Sequence, residues 1–181
     1  MRLERRKAAE LSDIRPQLLD VYAEIYADRL AGDFHSVERF DERLGWNTEV
    51  PGFAAVVGYL DDRPVGYAYG CTLQMGTRWW SGLRTPVPDG ATAEDGTRTF
   101  ALSELMVVDK VRGTGAAKAI HDELLAGRRE QRVTLLVEHD HPGVRSLYEA
   151  WGYEWFGDVQ PFDDSPLYDA MVMSLVPEAV P

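Results

Sequence analysis

Residues 99–118 read TFALSELMVVDKVRGTGAAK. From Phe100 to Val108 the run is apolar except for Ser103 and Glu104, the pattern of a strand buried on both faces. The chain turns at Asp109-Lys110. It then presents Gly113 and Gly115, followed by Ala116, Ala117 and helical spacing through Ile120 and Leu124. A buried strand that feeds a glycine loop opening a helix is an anion-binding arrangement. Glycine lets the backbone come close to an anion. The first N–H groups of a helix have no intrahelical partner and carry the positive end of its dipole.

Three glycine loops compete for this stretch. A nucleotide P-loop needs G-x-x-x-x-G-K-[ST], which is absent. A dinucleotide loop needs G-x-G-x-x-G, but Lys118 stands at the third glycine position. Glu138 does end the next strand-like run, where a ribose-binding acid would stand, yet only 43 residues follow it, too few for the further βα units. The third pattern is R-x-x-G-x-[G/A], which Arg112-Gly113-Thr114-Gly115-Ala116-Ala117 satisfies. Downstream, Val144-Arg145-Ser146-Leu147-Tyr148-Glu149-Ala150-Trp151-Gly152-Tyr153 fits L-Y-x-x-x-G-[F/Y] at the end of a helix. The two motifs stand in order, with a helix and a strand between them. Together they resemble the pyrophosphate loop and late helix of the GCN5-related N-acetyltransferase (GNAT) superfamily, over roughly residues 99 to 155.

The resemblance implies acetyl-CoA as acyl donor and an amine as acceptor, joined by direct attack in a ternary complex. A non-catalytic acyl-CoA-binding module of the same fold is the alternative. The fold implied is mixed α/β, with a central, mostly antiparallel sheet splayed between strands four and five and flanked by helices. Carried over to this sequence, the backbone of Leu105, Met106 and Val107 would bond the pantetheine arm as an added strand. Arg112, Gly113, Thr114, Gly115, Ala116, Ala117 and Lys118 would hold the pyrophosphate. His141 stands where many members have an asparagine that reaches the cofactor arm. Tyr148 matches the general acid that protonates the departing thiolate. Read from periodicity alone, Tyr148 is one of a stripe with Val144, Leu147 and Trp151.

Glu104 alternates with Phe100, Leu102, Met106 and Val108, which sets a carboxylate on an otherwise apolar sheet face. Such a group is costly to bury unless paired. Burial would raise its pKa towards that of a useful base. Two readings follow: a base acting on the acceptor ammonium, as in some family members, or one half of a structural salt bridge to an arginine.

The chain has 181 residues and a net charge of −11. That length suits one domain, residues 1–181. The charge argues against nucleic acid and anionic membranes as partners. No apolar run approaches the ~20 residues of a membrane span. The start, MRLERRKAAELSD, lacks the apolar stretch of a secretory signal, and the lone Cys71 suits a reducing compartment, so a cytoplasmic protein is expected. Beyond Arg145 no Lys or Arg occurs, while seven acids do, among them Asp158, Asp169 and Glu178. They form either a solubilising surface or a field favouring a cationic acceptor.

A first strand is expected at residues 2–7, a helix capped by Ser12 or Asp13 that ends at Gly32, and a second from Ser36 to near Gly45. A hairpin turning at Asp61-Asp62-Arg63 follows, with Gly58, Gly66 and Gly70 as bulges or close approaches. Residues 76–98 break the rhythm, and loops of that length are usually functional or disordered. Trp79 and Trp80 in this excursion either enclose a cationic amine or pack it onto its own domain. Residues 132–138 form the next strand. His139-Asp140-His141 lacks a clear further ligand, so a turn and helix start is expected there rather than a metal site. Two closing strands follow. A homodimer is a common assembly for families of this kind.

Overall fold

The computed structural model describes residues 1–27 and 35–176. The expected stop at Gly32 and the acid at Glu178 lie outside them. In chain order the elements are β1 (Arg2–Arg6), α1 (Leu11–Ile25), α2 (Val37–Thr48), β2 (Ala54–Leu60), β3 (Arg63–Thr72), β4 (Thr99–Val107), α3 (Ala116–Leu125), β5 (Arg132–Glu138), α4 (Pro142–Ala150), β6 (Glu154–Val159) and β7 (Tyr168–Ser174). One seven-stranded sheet runs β1-β2-β3-β4-β5-β7-β6. It is mostly antiparallel, with β4 and β5 parallel. Their ladder joins only Thr99–Ala101 to Arg132–Thr134, although both strands continue. The expected mixed sheet, parting between the fourth and fifth strands, is the one observed. No described helix is long and apolar enough to cross a membrane.

Two compact units make up the chain. The first comprises residues 1–71 and 102–127, the second 72–101 and everything from Arg128 on. In the first, apolar residues at helical spacing on α1 (Ile14, Leu18, Val21, Tyr22) meet Phe40 and Leu44 of α2, all nearly or wholly buried. They pack with Val57, Tyr67, Tyr69 and Met106 from the strands. In the second, Leu73, Trp80, Ala101, Val159 and Ala170 form the buried cluster.

Local chemistry sets the element ends. Ser36 caps α2, its hydroxyl accepting from the Arg39 N–H at 3.2 Å. Asp61 and Asp62, at φ 48° and 60°, form a two-residue turn closed by the Leu60–Arg63 pair, where both central residues must be left-handed. Three expectations are corrected. Helix α1 begins at Leu11, one residue before Ser12, because a 3₁₀ turn at Ala8–Glu10 leads into it, and Pro16 consequently lies inside the helix. Helix α2 continues past Gly45 to Thr48, with the Thr48 hydroxyl donating to the Gly45 carbonyl at 2.7 Å. On α4 only Tyr148 of the expected stripe is buried: Val144 and Leu147 are exposed and Trp151 is half-buried.

Glycine at 66 is dictated by a close approach: a Cβ there would lie 2.5 Å from the Met106 carbonyl oxygen and 2.7 Å from Val107. At Gly45 the same added atom meets nothing within 4 Å. Gly66→Ala is therefore expected to destabilise by roughly 1–3 kcal/mol, the usual cost of overpacking. Gly45→Ala, in a helix with open space, is expected to stabilise by about 0.5–1 kcal/mol. Urea melts of both variants check the pair.

Candidate active site

The turn after β4 has the geometry its glycines imply. Gly113 and Gly115 have φ of 72° and 84°, left-handed values that side chains rarely tolerate. Gly115 is the N-cap of α3, so the first turn of the helix, at Ala116, Ala117 and Lys118, begins directly after it. A Cβ on either glycine would meet no atom within 4 Å, and residues 112–115 are exposed. The loop is open around both glycines. Thr114 braces it from behind, donating its hydroxyl to the Val111 carbonyl at 2.7 Å. Arg112 pairs with Asp109 at 3.0 Å and the Lys118 ammonium with Asp122 at 2.5 Å. Both pairs are exposed, so screening leaves them weak and both cations can turn to an incoming anion.

Upstream, Leu105 and Val107 are half-buried and Met106 is buried, its sulfur accepting the Tyr67 hydroxyl at 3.4 Å. Glu104 is half-buried. Its charge is felt by Arg43 of α2 and by the wholly buried Tyr67 and Tyr69 of β3. Burial first, and then the Glu104 charge, push both tyrosine hydroxyls well above their usual range. Burial works against the charge on Arg43, yet Glu104 and the hydroxyls of Tyr22 and Tyr69 hold its guanidinium more firmly protonated than usual. Asn47, one turn beyond Arg43, accepts the Ser103 hydroxyl at 2.6 Å and the Cys71 thiol at 3.5 Å, tying α2 to β4 and β3.

Helix α4 explains the spacing of the second motif. The Tyr153 N–H reaches the Tyr148 carbonyl and the Gly152 N–H the Glu149 carbonyl, each at 3.0 Å, with Gly152 at φ 97°. This is a Schellman stop in which Tyr148 and Tyr153 are the two positions that make the accompanying apolar contact. Their rings meet edge to face at 5.4 Å, and Trp151 packs on Tyr148 at 5.3 Å. His141 is the N-cap residue of α4, its imidazole exposed and 3.9 Å from Glu138.

The excursion at 76–98 is an ordered chain of turns on the second unit. Its Arg84 N–H bonds the Asp158 carbonyl at 2.8 Å, and the Gln160 N–H bonds Gly82 at 3.0 Å. Trp80 is buried in the apolar cluster and Trp79 packs against it. The Trp80 indole donates to Glu94 at 3.0 Å, and that same oxygen takes the Thr99 hydroxyl at 2.9 Å and Arg132 at 3.0 Å. Trp80 thus packs within its own unit.

Among the described residues, two groups bring ligand-type atoms within 4.8 Å of one another: Glu138, Asp140 and His141, and His139, Asp158 and Asp169. In the second, Arg145 already lies 3.3 Å from Asp169.

Residues 16–153 match the family model described as the acetyltransferase (GNAT) family. The chain belongs to the acetyltransferase (GNAT) family. Solved GNAT structures share the fold at low identity. Aminoglycoside 6'-acetyltransferase type Ii is 17% identical over 99% of this chain and 100% of its own, at a TM-score of 0.66. An aminoglycoside 6'-N-acetyltransferase complexed with coenzyme A is 16% identical over 99% and 100%, at 0.64. Ribosomal-protein-alanine N-acetyltransferase from Brucella melitensis is 20% identical over 97% and 100%, at 0.62. No curated protein matches the chain.

Sequence reading passed over Arg43 and Asn47. The signal was present: Phe40, Arg43, Leu44 and Asn47 occupy i, i+3, i+4 and i+7, so two polar residues fall on the buried face of α2.

Two outcomes follow. Gly115→Asp puts a side chain and a negative charge at a left-handed position of the glycine loop. The variant is expected to fold but to lose measurable CoA affinity by calorimetry. Trp80→Ala is expected to cost about 3–5 kcal/mol of stability, the range for a buried tryptophan, as read by chemical denaturation.

Proposed function

We propose that this GNAT protein is an acetyl-CoA-dependent N-acetyltransferase acting on an amine. The observation that carries the reading is the open loop at Gly113–Gly115, where two left-handed glycines lead directly into the first turn of α3. Ala116, Ala117 and Lys118 would bond the pyrophosphate through their backbone, with Arg112 adding charge. The β4 backbone at Leu105, Met106 and Val107 would hold the pantetheine arm, and His141 is a further candidate contact.

In the reaction the neutral amine nitrogen attacks the thioester carbon, the carbon–sulfur bond breaks, and the sulfur leaves as thiolate. Tyr148 is assigned as the acid that gives this sulfur its proton. Glu104 is assigned as the base that accepts the proton lost by the acceptor ammonium, directly or through water. No covalent enzyme intermediate is formed. The family match of the L-Y-x-x-x-G-Y stretch and the burial of Tyr148 support the first assignment. The half-buried setting of Glu104 among hydroxyls supports the second.

Two of the similar structures are named for an aminoglycoside and for a ribosomal-protein alanine. An acceptor screen with acetyl-CoA, reading thiol release, should therefore include aminoglycosides, polyamines and peptides with free N-termini. Acetylation of at least one amine is the expected result. CoA binding with no acetylation of any amine would leave the non-catalytic acyl-CoA-binding module. With the best acceptor, Tyr148→Phe is expected to keep acetyl-CoA affinity and lower kcat by roughly ten- to a thousandfold, water replacing the acid in part. A near-normal kcat with chemistry rate-limiting would reduce Tyr148 to its part in the helix stop.

A further inference from the structure

The second unit holds a group of side chains that the acyl transfer does not use: His139, directly after β5, Asp158 of β6 and Asp169 of β7. We propose that these three form a site for a divalent transition metal of the zinc class, which fastens the ends of the three strands to one another.

The sheet brings them together. Asp158 and Asp169 are partners in the β6–β7 ladder, so their side chains leave the same face. Asp169 stands opposite Val137 of β5. His139 continues that pairing past the strand end, its N–H bonding the Leu167 carbonyl at 3.0 Å. Alternation along an extended chain returns residue 139 to the face of residue 137. One ligand-type atom from each of the three residues lies within 4.8 Å of the other two, and the His139 Nδ1 is 3.3 Å from the Asp169 Oδ1. Ligand atoms around one tetrahedral zinc stand about 3.3 Å apart, given bonds of ~2.0 Å. Closure therefore asks for small rotations of His139 and Asp158. The backbone is already pinned: the Asp158 N–H bonds the Thr85 hydroxyl at 3.0 Å and its carbonyl accepts the Arg84 N–H at 2.8 Å.

The charges ask for a cation. Like charges directly opposite each other on paired strands are destabilising, and the Asp169 side chain is only 3% exposed. Arg145 of α4 meets Asp169 through Oδ2 at 3.3 Å, but Glu149 shares it at 2.9 Å, and no Lys or Arg follows Arg145 in the chain. That contact leaves Oδ1 as the oxygen turned to His139, which is how an outer partner orients a metal-binding carboxylate. The Asp158 carboxylate is half-buried and makes no hydrogen bond or ion pair among the described residues. Two carboxylates and a neutral imidazole are a ligand set whose charge a divalent ion balances. Its mixture of nitrogen and oxygen suits zinc or cobalt better than magnesium or calcium, which take oxygen ligands. The group at Glu138, Asp140 and His141 is the poorer site, because it is confined to one turn and its Asp140 and His141 are exposed.

The test takes the full chain, stripped with a chelator that is then dialysed away, and titrates it with Zn²⁺ by calorimetry and with Co²⁺ by visible absorption. One ion per chain, at a micromolar or tighter dissociation constant, is expected, and zinc should raise the thermal midpoint. His139→Gln and Asp158→Asn change side chains that are not buried, and each should weaken zinc by at least about tenfold and remove the cobalt band and the thermal shift. Asp140→Asn should leave all three readouts as in the wild type. A wild-type chain that binds neither ion at millimolar concentration would overturn the proposal. So would undiminished binding in folded His139→Gln and Asp158→Asn. Loss of binding in Asp140→Asn alone would also overturn it, since the ion would then sit on the other group.

Discussion

A carboxylate placed against aromatic rings must have its charge met, and much of the first unit is arranged around that requirement. Glu104 sits on a strand otherwise given to apolar residues. Leaving it uncompensated would cost several kcal/mol or force it to take up a proton. Its charge is felt by Arg43 of α2 and by Tyr67 and Tyr69 of β3. Tyr26, Tyr22 and Phe40 stack in the core of the same unit.

The second unit solves a similar problem without any sign of chemistry. Glu94 has its side chain 1% exposed and meets Arg132, Thr99 and Trp80 through one oxygen. Arg132 in turn lies over the rings of Trp80 and Phe156. Burial lowers its pKa, and the bond to Glu94 opposes the change. A pair so enclosed adds little net stability, but removing one member strands the other. Its effect is to fix where the excursion leaves and rejoins the sheet, since Glu94 belongs to the excursion while Thr99 and Arg132 are the first pair of the parallel ladder. Glu94 is sealed from solvent, whereas Glu104 of the first unit is half-buried.

The sheet, the helix order and the glycine loop were legible because each rests on short-range physics. Alternation of apolar residues gives strands, left-handed glycines give the loop, and Ser36 or Gly152 gives a helix end. The polar partners were not legible in the same way. Arg43 and Glu104 stand 61 positions apart in the chain, and nothing local to either selects the other. The two tryptophans illustrate the limit: two large apolar residues in a polar loop announce a function or a packing anchor equally well. The partner that Trp80 finds is Glu94, fourteen residues on. The α4 stripe misled for a related reason. Helical period identifies the residues that share a face but says nothing of whether anything covers it, and Val144 and Leu147 are left in solvent.

The ordered excursion also has a consequence for the protein's behaviour among other proteins. β6 is the last strand of the sheet, and such an edge offers unpaired backbone to any passing strand. Here the segment around Leu83 lies antiparallel to Val159 and takes up the backbone groups of Asp158 and Gln160. Gly82 is glycine because the Gln160 carbonyl leaves no room for a side chain. The loop thereby acts as a guard rail along the end of the sheet. A chain that shortened it to a tight hairpin would keep its strand order and lose its protection against self-association, with the exposed Trp155 at the unguarded end of the same strand.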